Sequence, residues 1–134
     1  EQGIRSDATG NIHIIRAAER HAPNARFILI TSMGCGEQWD GMSERFKQAL
    51  GEAVQAKTEA ENVLRQSSLN WSILRPCGLG NGESKAYRLS GSDTPVPAGY
   101  MTRNGLAAAV LAVLNDAGSS GQVYSVTADP AEAA

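Results

Sequence analysis

The chain is poor in cysteine, carries little net charge of either sign and contains no long apolar run. Cys35 and Cys77 are its two cysteines, too few for a disulfide-stapled secreted fold and at a spacing that matches no metal motif. A reduced, cytoplasmic setting is the expectation. With a formal net charge of -2 and lysines and arginines scattered singly, no strong field arises, which argues against nucleic acid or an anionic membrane as the main partner. No stretch approaches the ~20 apolar residues of a membrane-spanning helix, and the N-terminus has no signal-peptide core. The first residue is Glu1, whereas a complete translated chain starts with Met or with the small residue left after its removal; further sequence upstream is therefore expected.

What is present is a globular composition. A chain of 134 residues that is 42% hydrophobic and 19% charged accommodates one domain, residues 1–134, with disorder expected only at the ends. Ile12, Ile15, Ala18 and Ala22 recur at helical spacing, and Pro23-Asn24 ends that helix. Phe27-Ile28-Leu29-Ile30-Thr31 is apolar on both faces, as a strand buried in a parallel sheet would be, and closes at Ser32-Met33-Gly34-Cys35-Gly36. Residues 37–42 read as a loop. Ser43 is placed to cap a long helix over 44–66, whose stripe comprises Phe46, Ala49, Leu50, Ala53, Val54, Ala60, Val63 and Leu64.

Lys57 falls in the middle of this stripe, three residues from both Val54 and Ala60. Its methylenes can pack while the ammonium snorkels to water, or it serves a ligand; the residues alone leave both readings open. Residues 71–75 form a second strand. Pro76, Gly78, Gly80 and Gly82 make the following stretch irregular, and residues 83–100 a long loop with a short extended piece at 86–90. Pro95 and Pro97 keep the second half of that loop out of a central strand. A third helix is expected over 105–115, a turn at Ser119-Ser120-Gly121, a third strand over 122–127 and a frayed Ala-rich tail. Helix and strand thus alternate, the pattern of an α/β fold with a parallel sheet between helices.

Several of these pieces resemble the C-terminal half of an atypical short-chain dehydrogenase/reductase, of the NmrA-like and biliverdin reductase B/flavin reductase kind. They are Asp7-Ala8-Thr9-Gly10-Asn11 opening a helix, Arg26-Phe27-Ile28-Leu29-Ile30-Thr31-Ser32, Lys57 with Glu61 and Leu64, Trp71-Ser72-Ile73-Leu74-Arg75-Pro76 with Gly78, and Thr102-Arg103 before an Ala-rich helix. The resemblance implies a Rossmann-like parallel sheet flanked by helices, lacking the N-terminal βαβ units, and binding NADP or NAD at the carboxyl ends of its strands. It implies cofactor contact from Thr31, Ser32, Lys57, Arg75, Pro76, Cys77, Gly78 and Leu79, with Lys57 on the nicotinamide ribose and backbone groups of residues 77–79 on the carboxamide. Ser32 and Lys57 are the candidate catalytic residues. Ser32 can donate to a substrate oxygen or serve only the strand end.

The chain departs from that family's pattern twice. No strand followed by a Gly-rich turn and helix precedes residue 7, so the usual pyrophosphate seat is not among these residues. Ala53 stands four residues before Lys57, where the family's catalytic Tyr belongs, which removes lysine-assisted proton transfer in its usual form. The implied function is an NAD(P)H-dependent reductase of a small molecule needing little proton donation, such as a flavin or quinone. The alternatives are a non-catalytic dinucleotide sensor or scaffold, or a remnant that binds no cofactor. No metal site is expected, since His13 and His21 lack a paired acidic pattern. Cys35 and Cys77 follow neighbouring strands and are weighed as a redox pair. Trp39 either lines a pocket or covers the sheet edge, and Arg103 either orients a loop near the cofactor or makes a surface ion pair. An exposed edge on the strand at 27–31 is expected to promote self-association.

Overall fold

A computed structural model describes residues 6–93 and 99–128. Pro95, Pro97, the tail beyond 128 and the first five residues, on which some of the expectations fall, lie outside them. A single π-helical turn, Ser6–Gly10, leads into helix α1, Asn11–His21. Strand β1, Arg26–Ile30, follows, then a 3-10 turn at Gly36–Gly41 where the sequence reads as plain loop. Helix α2 spans Glu44–Arg65, with the Ser43 hydroxyl accepting the Phe46 N–H at 3.1 Å as an N-cap should. Strand β2, Asn70–Pro76, comes next.

The stretch after β2 corrects the expected irregular loop. Gly78–Gly80 is a short strand, β3, paired in parallel with β5, Tyr100–Thr102. The extended piece becomes β4, Arg88–Gly91, which pairs antiparallel with β6, Val123–Thr127. Helix α3, Arg103–Leu114, starts two residues earlier than its apolar run because the Thr102 hydroxyl caps it, accepting from Gly105 N. The main sheet has the order β1-β2-β6-β4, parallel except for β4.

Strand alternation then sorts the core into two layers. Leu29 and Ile73 point to one face, where they meet Ile15 of α1 and Ala60 and Leu64 of α2. Leu74 and Val126 point to the other, against Leu106, Ala109 and Val113 of α3. Both helical layers close over the sheet because β1, β2 and β6 carry apolar residues on both faces. Two features of α2 differ from its sequence pattern. Ala49 and Leu50 are exposed, so the buried stripe starts only at Gly51 and Val54; Glu61, an acid, lies fully inside it.

At the amino end of the sheet, the Arg26 guanidinium bonds Asn70 O, Ser72 Oγ, Ser119 Oγ and Val113 O. It fastens β1, β2 and the end of α3 together. The β1 side facing away from β2 has no strand neighbour among the described residues, and Ile30 at the end of the strand is 42% exposed.

Gly105 provides a check on this packing. In an ordinary helix, alanine is better than glycine by roughly 1 kcal/mol, but a Cβ at Gly105 would run into the backbone carbonyl of Ala86. Gly105→Ala is therefore expected to destabilise, by about 1–3 kcal/mol as overpacking does, in urea unfolding. A stabilised variant would show that α3 does not press on the 84–86 segment.

Candidate functional site at the carboxyl edge

The carboxyl ends of β1 and β2 are organised by one buried ion-pair network. Arg75, 0% exposed, points to the α2 face of the sheet and meets Glu61, 1% exposed. The pair is bidentate: Arg75 Nη2 to Glu61 Oε1 at 2.7 Å and Arg75 Nε to Glu61 Oε2 at 3.0 Å. The same Oε2 accepts from the Thr31 hydroxyl at 2.7 Å. On its outer side Arg75 binds the Glu37 carboxylate in the same forked way, at 2.9 and 3.2 Å. Glu37 also lies 3.9 Å from Arg65.

Burial alone would lower the Arg75 pKa, but the hydrogen bonds and charges of Glu61 and Glu37 raise it above its ordinary value. Partial burial alone would likewise raise the Glu37 carboxyl; hydrogen bonds and charge from Arg75 overcome this and hold it at about 2. Every buried side-chain polar atom among the described residues is satisfied, as a buried charge cluster requires.

The turn after β1 is held to this network. Gly36 N donates to Thr58 Oγ1 at 3.1 Å, Gly34 N to Gln38 Oε1 at 3.0 Å, and Gln38 Nε2 to Ser125 Oγ at 2.8 Å. Gly36 has φ +58°, and a Cβ there would come within 2.6 Å of Arg75 Nη2. Glycine is needed both for the turn and for the space the guanidinium fills. Trp39 packs against α2 over Gly51, with the Lys47 ammonium 5.3 Å from its ring centroid. It covers a helix face.

The structure thus locates each site residue expected from the sequence. Thr31 and Arg75 spend their side chains inside the protein and hold the turns on either side. Ser32 is half-buried and its hydroxyl donates to Met33 O at 2.9 Å. Pro76 O accepts from Met33 N, Cys77 N donates to Val126 O and Gly78 N to Gly99 O. The Cys77 and Gly78 N–H groups are therefore engaged, and of the three residues expected to meet a carboxamide, Leu79 remains. Lys57 stands one helical turn before Glu61, beside Thr58. It is half-buried, and its ammonium has no hydrogen-bond or ion-pair partner among the described residues.

Cys35 and Cys77 do not form a pair. Cys35 Sγ faces Val54 O of α2, whereas Cys77 packs with Leu74 and Met101 on the opposite side of the sheet. Burial, aided for Cys35 by the Glu61 charge, pushes both thiols up, so neither is activated. Arg103 donates to Asn81 Oδ1 at 3.0 Å and so ties down the loop after β3. No cluster of three or more potential metal ligands occurs among the described residues, and no described helix is long and apolar enough to cross a membrane. Beyond β3, a cleft of about 280 Å³ opens between Gly80, Asn81, Tyr100, Met101 and Ala128. Sequence reasoning missed both this cleft and the role of Glu61.

A parallel sheet presenting a free lysine, a serine and a cleft at its carboxyl edge is the geometry of a nucleotide-binding α/β domain. A family model described as NAD(P)H-binding matches residues 2–117. The chain belongs to this NAD(P)H-binding family. Among solved structures it is similar to chuY from the E. coli strain CFT073, with 36% identity and a TM-score of 0.81 over 90% of this chain and 60% of that one. It is also similar to ChuY of Escherichia coli O157:H7, described as an anaerobilin reductase, with 35% identity and a TM-score of 0.84 over 93% of this chain and 60% of that one. A short-chain dehydrogenase/reductase from Veillonella parvula, solved with NADP, shares the fold with 24% identity and a TM-score of 0.71, over 95% and 60% of the two chains. No curated protein matches the chain. The chain spans about 60% of the length of the first solved structures it matches.

The donor set fits the family's dinucleotide at one end. Lys57 and Ser32 suit sugar hydroxyls and a carbonyl oxygen, whereas no Gly-rich strand-to-helix turn that would seat a pyrophosphate occurs among the described residues.

The Glu37 carboxylate gives the site a pH signature. Because its folded pKa of about 2 lies below the ordinary 4.5, its contribution to stability is fully present above about pH 4.5 and is lost as pH falls through about 2. The melting-temperature gap between the parent protein and Glu37→Gln should therefore narrow from pH 4.5 downward. A gap that stays constant from pH 7 to 2 would contradict the Glu37–Arg75 assignment.

Proposed function

We propose that the chain serves an NAD(P)H-dependent reductase of the atypical short-chain dehydrogenase/reductase type, acting on a small conjugated acceptor such as a flavin or quinone. The observation that carries this reading is Lys57: a half-buried lysine without a partner at the carboxyl edge, on a helix whose residue four positions earlier is Ala53. An ammonium there can donate to ribose hydroxyls, and the missing phenol fits an acceptor that takes its proton from solvent. The likeness to a structure described as an anaerobilin reductase supports a reductase.

On this reading bound NAD(P)H supplies the hydride. The chain's own residues bind and orient. Lys57 fixes the nicotinamide ribose, Ser32 turns its hydroxyl from Met33 O toward an incoming oxygen, and Leu79 meets the ring's carboxamide through its backbone. Glu61 and Arg75 touch no ligand and keep these groups in register. Titration with NADPH and NADH side by side decides between the two cofactors.

A second reading, a dinucleotide sensor without turnover, is favoured by the same Ala53. NADPH consumption followed at its own absorbance, with riboflavin and menadione as acceptors, separates the two. The reductase reading expects consumption with at least one acceptor; tight NADPH binding with no consumption on either establishes the sensor. Replacing Lys57 by Ala should weaken NADPH binding by about 1–2 kcal/mol if the ammonium bonds the ribose. Unchanged affinity assigns Lys57 to snorkelling.

We further propose that a second copy of the chain pairs along the open side of β1. This strand has no Pro, Lys or bulge to blunt its edge, and the guanidinium of Arg26 is already engaged by Asn70, Ser72 and Ser119. Sedimentation equilibrium should find dimers or larger species. A monomer at all concentrations would remove β1 as an interface.

A further inference from the structure

We propose that the cleft beside β3 and β5 binds the flat conjugated ring of the acceptor, with Tyr100 as its stacking wall and Asn81 as a hydrogen-bond donor to a ring carbonyl. The inference deepens the reductase reading and rests on it for what the bound ring does; the binding itself stands separately.

The starting observation is how Tyr100 is seated. Tyr100 is directly opposite Gly78 in the β3–β5 ladder. Its ring carbons Cδ1 and Cε1 both come within 2.6 Å of where a Gly78 Cβ would stand, a contact that only glycine permits. The phenol is thus laid against bare backbone, while 78% of the residue stays exposed. A lone exposed aromatic would be unremarked surface, but this one forms a wall of the cleft. A ring supported on one side and open on the other is a stacking platform.

The rest of the cleft sets the chemistry of its ligand. Its floor is apolar: Met101, 3% exposed, with Ala86 and Ala128 beside it. The Thr102 hydroxyl is already spent, donating to Ser84 O and accepting from Gly105 N. Asn81 differs. Its Oδ1 accepts from Arg103 Nη1 at 3.0 Å, and its Nδ2 donors have no partner among the described residues. One aromatic wall, an apolar floor and one unpartnered amide donor at the rim suit a planar ring bearing an edge carbonyl. Isoalloxazines and naphthoquinones meet that description, and charged or saturated molecules do not. The volume, about 280 Å³, lies at the low end of ligand pockets, roughly 300–1,000 Å³, enough for the ring portion of such a molecule.

The test is equilibrium binding without any cofactor, using riboflavin fluorescence quenching with menadione as competitor. The parent chain should bind riboflavin saturably, Tyr100→Phe should keep the affinity within about twofold, and Tyr100→Ala should weaken it about tenfold, the scale of a lost stacking contact. Because Tyr100 is exposed, both variants should melt with the parent, which separates binding from folding. The proposal is overturned if the parent shows no saturable binding of either probe, or if Tyr100→Ala binds as the parent does. A parallel NADPH titration keeps the two readings apart: ring binding without NADPH binding retains this inference and removes the reductase, whereas NADPH binding without ring binding does the opposite.

Discussion

The bidentate pair between Arg75 and Glu61 is the interaction on which the carboxyl edge of this molecule depends. Both groups are shielded from water: a buried ion pair gains little net stability over an apolar pair, yet removing Arg75 strands the Glu61 carboxylate at a cost of several kcal/mol, whereas removing Glu61 leaves Arg75 its fork to Glu37. The arrangement fixes position more than it adds stability. Arg75 stands near the end of β2, Glu61 in the last turns of α2, Thr31 directly after β1, and Glu37 in the turn beyond. One guanidinium therefore locks three elements and a turn at the edge where strands stop and loops begin.

What remains free at that edge follows from what is used. Thr31, Arg75 and the N–H groups of Cys77 and Gly78 are committed inside the protein. Lys57, Ser32, Leu79 and the cleft bordered by Tyr100 are the groups left to meet something else. In open α/β sheets ligands are met at this carboxyl edge, outside the ends of the strands. The two cysteines lie on opposite faces of the sheet, so the redox chemistry of such a site would belong to its bound molecules and not to thiols.

Elements set by local signals were legible in the sequence. The Ser43 cap and the end of α2, the apolar run of β1, and the strand ending in Arg75-Pro76 fall within a residue or two of where periodicity and capping put them. Elements set by long-range pairing were not. Gly78–Gly80 has no strand propensity and becomes one only because Tyr100–Thr102 lies alongside. Leu50 fits the α2 stripe but is exposed, because no element among the described residues covers it. Glu61 reads as surface on an amphipathic helix. The available signal was its position, seven residues after Val54 and three before Leu64, on the stripe together with an arginine in an otherwise apolar strand. An acid and a base that each interrupt a buried pattern imply one another. The cleft was invisible because its walls come from β3, β5 and the end of β6, which are remote in sequence.

The claim that one buried pair organises the edge is tested most directly by a double-substitution cycle on unfolding free energy. Arg75→Met, which leaves Glu61 buried without a counter-charge, should cost about 3–5 kcal/mol alone, Glu61→Leu less because Arg75 keeps Glu37, and the combined variant should recover most of the Arg75→Met loss. An Arg75→Met cost below about 1 kcal/mol, or losses that simply add, would contradict the account.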